Sequence, residues 1–513
     1  MRRCLIPAMA LMLTWFTAPA HAGTVPTLSG PVLGTTEEGT DVYRGIPYAA
    51  PPVGPLRWAP PEPATAWKGT FDATKSGAIC PQVPFGDKPL TQPQSENCLF
   101  LNVWVPHHAP GTRLPVMVFI HGGAYLGGSS SDPLYDGARL AKKGVVVVSF
   151  NYRLGIFGFL AHPELTAASP RHVSGNYGIL DQIAALHWVK DNITAFGGDP
   201  AQVTIFGESA GGNSVIVLMA SPLAQGLFVR AIAESPDVGF PLPTLAEAEA
   251  TGARLGPLST LRHLPVAQLL SDNGRLSPGV AAFAPPTFPW PVIDNWLLPD
   301  QPDAHLASPV PLIIGNNSDE GNMFAAAWKT LSPDEYAKKR DALFGPLADR
   351  AGMLYPATDK QEIARQGTFI VADSLFNEGA RHTVTEVIRA GQPAYRYLFT
   401  RTMGGRAPRH SDELRYVFGT LENPGYTHLP AATDADRKIS AMMMDAWVRF
   451  AKTGSPNAPG SPDWPQASES GAPILSILEN PSLLSGYRDS QLDLIETLYR
   501  NTSGTHSAQS SSP

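Results

Sequence analysis

The residues most able to do chemistry are Gly207-Glu208-Ser209-Ala210-Gly211, which follow the apolar run Val203-Thr204-Ile205-Phe206. Residues 210–219 read as a helix, so the serine falls on a strand-to-helix turn. Such a turn holds Ser209 in strained backbone geometry, and side chains at positions 207 and 211 would crowd it. Its hydroxyl then stands at a helix N-terminus, where free N–H groups and the dipole favour developing negative charge. Glu208, beside the nucleophile, is expected to be a hydrogen-bonded supporting group. Upstream, His121-Gly122-Gly123-Ala124 follows the apolar run 116–120. An ordinary glycine turn would look the same. Beside a serine nucleophile, the motif reads as small residues whose backbone N–H groups line an oxyanion hole.

A serine alcohol needs a base, and the base needs an acid to orient it. In this arrangement acid and histidine follow the serine along the chain. Ile313-Ile314-Gly315 reads as a strand end and leads into Asn316-Asn317-Ser318-Asp319-Glu320-Gly321. A carboxylate at the C-terminal end of a sheet strand is placed where an acid is useful. Physics does not choose between Asp319 and Glu320. Among 13 histidines, His410 is the best placed, in a loop-like neighbourhood before Ser411-Asp412-Glu413-Leu414.

The elements that must position these groups alternate. Strand-like runs recur at 99–105, 116–120, 145–150, 203–206, 229–233 and 310–314. Several are continuously apolar, as in a parallel sheet covered on both faces. Residues 177–192 carry Ile179, Ile183, Leu186 and Val189 on one helical face. The pattern predicts a doubly wound α/β sheet. Stretches 240–305 and 325–390, the latter mostly helical, are expected as insertions over the functional edge. One domain over 23–500 and an unstructured tail over 501–513 complete the organisation.

Composition is globular: 43% hydrophobic and 16% charged, net −7, without a concentrated basic footprint for nucleic acid. Arg2 and Arg3, an apolar run from Leu5 to Phe16 and Ala20-His21-Ala22 read as an export signal over 1–22, cleaved after Ala22. The apolar run is too short to span a bilayer, and no other stretch is long and apolar enough. Cleavage would leave 36 basic residues against 45 acidic, net −9. A secreted or periplasmic location follows. Cys4 leaves with the signal, and Cys80 and Cys98 remain as an even pair in an oxidising compartment, where a disulfide is the default.

Taken together, the motifs resemble the type B carboxylesterases, the family that includes cholinesterases and bacterial para-nitrobenzyl esterases. The resemblance runs over nearly all of residues 25–495. It rests on Arg44-Gly45-Ile46-Pro47-Tyr48, Ser95-Glu96-Asn97-Cys98-Leu99, Asn151-Tyr152-Arg153, Phe196-Gly197-Gly198-Asp199-Pro200, both glycine motifs above, Asn317-x-Asp319-Glu320-Gly321 and His410-x-x-Glu413-Leu414. It implies an α/β-hydrolase fold and a Ser209–His410–Glu320 triad. It implies oxyanion donors at Gly123, Ala124 and Ala210, with Gly122 shaping the loop, and a Cys80–Cys98 bridge. It implies a buried Arg44–Glu96 ion pair, and ester hydrolysis through an acyl-enzyme without metal or organic cofactor. The same chemistry on a thioester, lactone or activated amide, or a non-catalytic binding module, are the alternatives. Two positions depart from the family: Ser95-Glu96-Asn97-Cys98, where an aspartate more often precedes the cysteine, and Pro236 after Glu234-Ser235, where relatives usually have glycine. The second is expected to alter the pocket wall. Phe283, Phe288, Trp290, Phe324 and Trp328 lie in the inserted stretches, where large aromatics are more often core than substrate contacts.

Overall fold

The computed structural model describes residues 20–509, apart from 85–89, 108–110, 239–240, 277–287, 303–304, 424–429 and 469–470. Thirteen strands form one sheet: β1 (Ala20–Thr27), β2 (Gly30–Glu37), β3 (Thr40–Pro47), β4 (Phe71–Asp72), β5 (Phe100–Pro106), β6 (Leu114–Ile120), β7 (Val146–Phe150), β8 (Gly198–Glu208), β9 (Arg230–Glu234), β10 (Leu312–Asn317), β11 (Ala394–Phe399), β12 (Ile474–Ile477) and β13 (Ser482–Leu484). The order is β1-β2-β3-β5-β7-β6-β8-β9-β10-β11-β12-β13, with β4 against β2. The run from β7 through β12 is parallel, the other neighbours along this order are antiparallel, and β4 runs parallel to β2.

The continuous apolar runs are the centre of this sheet because both faces are covered. In β6, Val116, Val118 and Ile120 face one core, while Met117 and Phe119 face the other. β10 divides the same way, with Leu312 and Ile314 on one side and Ile313 on the other. This two-residue alternation is the pleat, with both sides dry. The first face is closed by the helices Tyr177–Asn192 and Ala210–Ala220, the second by the helix Asp434–Thr453 with its fully buried Trp447. A third core lies in the helical insertion, where Trp328, Tyr336, Phe344 and Tyr355 meet Leu494 and Ile495. Those last two belong to the helix Asp489–Gln509, which continues past Asn501, where composition suggests an unstructured tail.

The pocket-wall aromatics divide. Phe288, Trp290 and Trp328 are buried core, and Phe283 lies outside the described residues. Most of the expected export segment lies outside them too. β1 begins at Ala20, and its pairing with β2 is continuous from Thr24 onward, beyond the expected cleavage point.

Cys80 and Cys98 are bonded to each other. The Arg44–Glu96 pair is not formed. Arg44 reaches across the β2–β3 hairpin to Glu37, with Nη1–Oε1 at 2.5 Å and Nη2–Oε2 at 2.8 Å. Glu96 instead takes both of its bonds from Arg57, at 2.5 and 2.7 Å, and Arg57 also donates to the carbonyls of Arg262 and Leu264. The acid nearer in the sheet register takes Arg44, and the insertion supplies acceptors that anchor Arg57.

The deeply buried pair is Arg153–Asp181, with side chains 3% and 0% exposed. Asp181 accepts from the Arg153 backbone N–H at 3.0 Å, from Nε at 2.8 Å and from Nη2 at 2.7 Å. This explains a carboxylate on the buried side of the helix Tyr177–Asn192. Removing one member of such a pair strands the other charge. Asp181→Asn is therefore expected to lower stability by about 3–5 kcal/mol, read as the loss in denaturant midpoint. An unchanged midpoint would show that water reaches Arg153.

Candidate active site

The parallel strands deliver their C-terminal ends to one edge, and the chemistry collects there. β8 ends at Glu208, and Ser209 turns the chain into the helix Ala210–Ala220 with φ +57° and ψ −126°. That conformation is costly for a residue with a Cβ and persists only where the surroundings impose it. Two constraints do so here. The Ser209 N–H donates to the Glu234 carbonyl on neighbouring β9 at 2.9 Å. The helix start also lies directly on the end of β6: a Cβ at Gly211 would stand 2.0 Å from the Ile120 carbonyl oxygen. At Gly207 it would stand 2.5 Å from the Gly211 carbonyl oxygen. The two glycines are required by backbone contact.

After β6 the chain turns sharply through Gly123 (φ +110°), Ala124 (φ +54°) and Tyr125 (φ +57°). The Gly123 carbonyl accepts from the N–H groups of Leu126 and Gly127 and so points into the turn. The N–H groups of Gly123, Ala124 and Ala210 find no acceptor among the described residues. Gly122 lies against Ser209, where a Cβ would come within 3.0 Å of the Ser209 Cβ. His121 braces the turn from below. Its Nδ1 is 2.9 Å from the Gly122 carbonyl, its ring stacks on Tyr152 at 4.4 Å, and burial pulls its pKa down to about 4.

The structure separates the two candidate acids. Glu320, fully buried, places Oε2 2.6 Å from His410 Nδ1, whereas Asp319 is half-buried and faces Arg409. The other Glu320 oxygen accepts from the Asn317 N–H at 2.6 Å, from Asn317 Nδ2 at 3.3 Å and from Ser235 Oγ at 2.6 Å. The carboxylate is thus held on both sides. His410 is 7% exposed, with the rings of Phe324 and Phe376 at 5.3 and 5.1 Å. Its Nε2 lies 3.3 Å from Glu208 Oε1, which also accepts from Ser411 Oγ at 2.5 Å. Among the described residues, no hydrogen bond joins Ser209 to His410.

Sequence reasoning missed the hydroxyl of Ser235 and the work of Asn317, whose Nδ2 also donates to buried Glu413. The Ser-Asp-Glu spacing showed a carboxylate at a strand end, but a serine one strand away carries no local signature.

The site gathers buried carboxyls around one imidazole. Burial pushes Glu208 upward against the pull of His410, and pushes Glu413 well above the carboxylate range, with Glu208 and Glu320 adding to it. Burial lifts Glu234 to about 8, against the bond from Trp447 Nε1. For His410, burial favours the neutral ring, but the attraction of Glu208 and Glu320 outweighs it and the pKa rises. These effects are linked. Each carboxyl around the ring affects the others, and the one hydrogen-bonded to Nδ1 is Glu320.

The strand order, the helices on both faces and the serine turn after a central parallel strand define an α/β-hydrolase. The chain belongs to the carboxylesterase family, whose model, described as "Carboxylesterase family", matches residues 21–495. It is a carboxylic ester hydrolase. It is 40% identical to the fumonisin B1 esterase of Sphingopyxis macrogoltabida over 87% of this chain and 84% of that one. It is 38% identical to the para-nitrobenzyl esterase of Bacillus subtilis (strain 168) over 87% and 92%. Among solved structures, a PNB esterase superposes with TM-score 0.79 at 36% identity, covering 92% of this chain and 99% of the other. A Geobacillus stearothermophilus carboxylesterase gives 0.81 at 35%, with the same coverage.

The contact at Gly211 makes a structural prediction independent of chemistry. Gly211→Ala must push the helix off β6 and is expected to cost at least about 1–3 kcal/mol, measured as a lowered unfolding midpoint. A midpoint equal to wild type would mean that the helix and β6 are less closely packed.

Proposed function

We propose that the chain cleaves carboxylic esters in two steps, with Ser209 as nucleophile, His410 as general base and Glu320 as the acid that orients it. The observation that carries this reading is the 2.6 Å Glu320–His410 bond at the sheet edge that also holds the Ser209 turn. With its Nδ1 proton on Glu320, His410 presents Nε2 as the basic nitrogen. It takes the Ser209 proton as the hydroxyl attacks the ester carbonyl, and the N–H groups of Gly123, Ala124 and Ala210 receive the oxyanion. Gly122 leaves room for the approach. The protonated imidazole then releases the alcohol, and water cleaves the acyl-enzyme by the same route. Export directed by residues 1–22 to the periplasm or medium is part of this proposal, supported by the Cys80–Cys98 bond.

Hydrolysis of para-nitrophenyl acetate, butyrate and octanoate tests the assignment. Ser209→Ala is expected to lower kcat by about 10⁴–10⁶ with the melting temperature kept; turnover near wild type would remove Ser209 from the role.

The pH profile tests the acid. Activity needs neutral His410, so the rate falls as pH drops through its pKa. Attraction to carboxylates raises that pKa against burial, so the acid limb should lie above the free-imidazole value of about 6.5. Glu320→Gln removes the Glu320 attraction and its charged hydrogen bond while Glu208 stays, so the limb should move down part of the way while kcat falls on the order of 10⁴. A limb that does not move would place the orienting charge elsewhere.

A further inference from the structure

One helical turn from Ser209 lies a cleft that the proposed steps do not use. Its walls include Tyr125, Asn213, Val217, Asp237, Leu242 and Trp290. Tyr125 follows the oxyanion residue Ala124 in the chain, and Asn213 is one helical turn beyond Ser209, with its N–H on the Ser209 carbonyl at 2.8 Å. Residues so spaced share a helix face. Asp237 follows Pro236, the position that departs from the family pattern. Pro236 packs over the start of the same helix: a Cβ at Gly212 would lie 3.3 Å from the Pro236 Cα. The cleft is therefore a flank of the reaction site.

Its polar groups are mismatched. Asn213, only 4% exposed, donates its amide to Asp237 Oδ1, while its own carbonyl oxygen has no partner. Asp237 pairs with no cation among the described residues. Tyr125 OH accepts from Ser214 Oγ at 3.3 Å, and Val217, Leu242 and Trp290 are apolar. In this largely apolar wall the Asn213 carbonyl oxygen lacks a donor and the Asp237 carboxyl, though it accepts from Asn213, lacks a cation, and such groups are costly unless a partner arrives. A protonated amine supplies both the donors and the charge.

We propose that Asp237 and Asn213 form a polar subsite of the substrate cleft that selects esters carrying a protonated amine on the arm seated there. The inference rests on the hydrolytic reading above and names a substrate class for it. The charged neighbours that act on Asp237 are His410, which favours its ionised form, and Glu208, which opposes it. Burial outweighs both and holds Asp237 up at about 7. The subsite therefore strengthens as pH rises through neutrality.

The test compares pentylammonium, butyl methyl ether and pentanoate as inhibitors of para-nitrophenyl acetate hydrolysis by the full chain. Pentylammonium is expected to bind about tenfold tighter than the ether, the value of one charge-assisted hydrogen bond, with pentanoate weakest. The preference should be larger at about pH 8.5 than at about pH 5.5, a comparison that needs no variant. Asp237→Asn should bring pentylammonium and the ether together, whereas loss at Glu208 instead would leave that preference in place. Equal binding in the wild type, or a preference that survives Asp237→Asn, overturns the subsite. Phosphonylation with a para-nitrophenyl phosphonate separates the two readings. Labelling of one serine without amine preference sinks the subsite alone, and no labelling sinks the hydrolytic assignment and the subsite with it.

Discussion

The whole arrangement depends on how closely the helix Ala210–Ala220 lies against the end of β6. With only hydrogen at positions 207 and 211, backbone meets backbone, and Ser209 between them is held at positive φ. The same approach brings the turn at Gly122–Gly123–Ala124, which leaves β6, beside the serine that leaves β8. The serine and the unpaired N–H groups are thus neighbours because two parallel strands are neighbours. Two buried cores fix those strands, so the site inherits its precision from the sheet.

The second constraint is electrostatic. Glu208, Glu320 and Glu413 are all buried around one imidazole, and burial with mutual repulsion pushes Glu208 and Glu413 upward. Glu320 has His410 on one oxygen and three donor contacts on the other, all directed at a carboxylate. Glu413 and Glu234 have fewer partners and are driven toward the neutral form. The ring is thus oriented by one short bond to Glu320 within a group of carboxyls whose attraction raises its pKa.

Much of this was legible in the sequence. The runs at 116–120, 145–150 and 310–314 read as doubly covered strands, and the helix over 177–192 fell on its observed bounds, Tyr177–Asn192, because both signals are local periodicities. The glycines at 207 and 211 announced a close approach without naming the partner, Ile120. Three things were not legible, because each depends on which strands become neighbours. Asp319 and Glu320 are adjacent carboxylates, and only the packed loop turns one inward. Ser235 lies one strand over from Glu320. Arg44 takes Glu37 and not Glu96 because the β2–β3 hairpin sets its reach, while Glu96 falls to Arg57. Pro236 was visible as a departure, but its neighbour Asp237 acquires meaning only against Asn213.

The central claim is that the strained serine is the one reactive nucleophile of the chain. Treating the protein with a para-nitrophenyl phosphonate, digesting it and locating the adduct by mass spectrometry tests this most directly. The account predicts one adduct per chain, on the peptide that contains Ser209, with release of an equal amount of para-nitrophenol. An adduct on another residue, or none on folded protein, would contradict it.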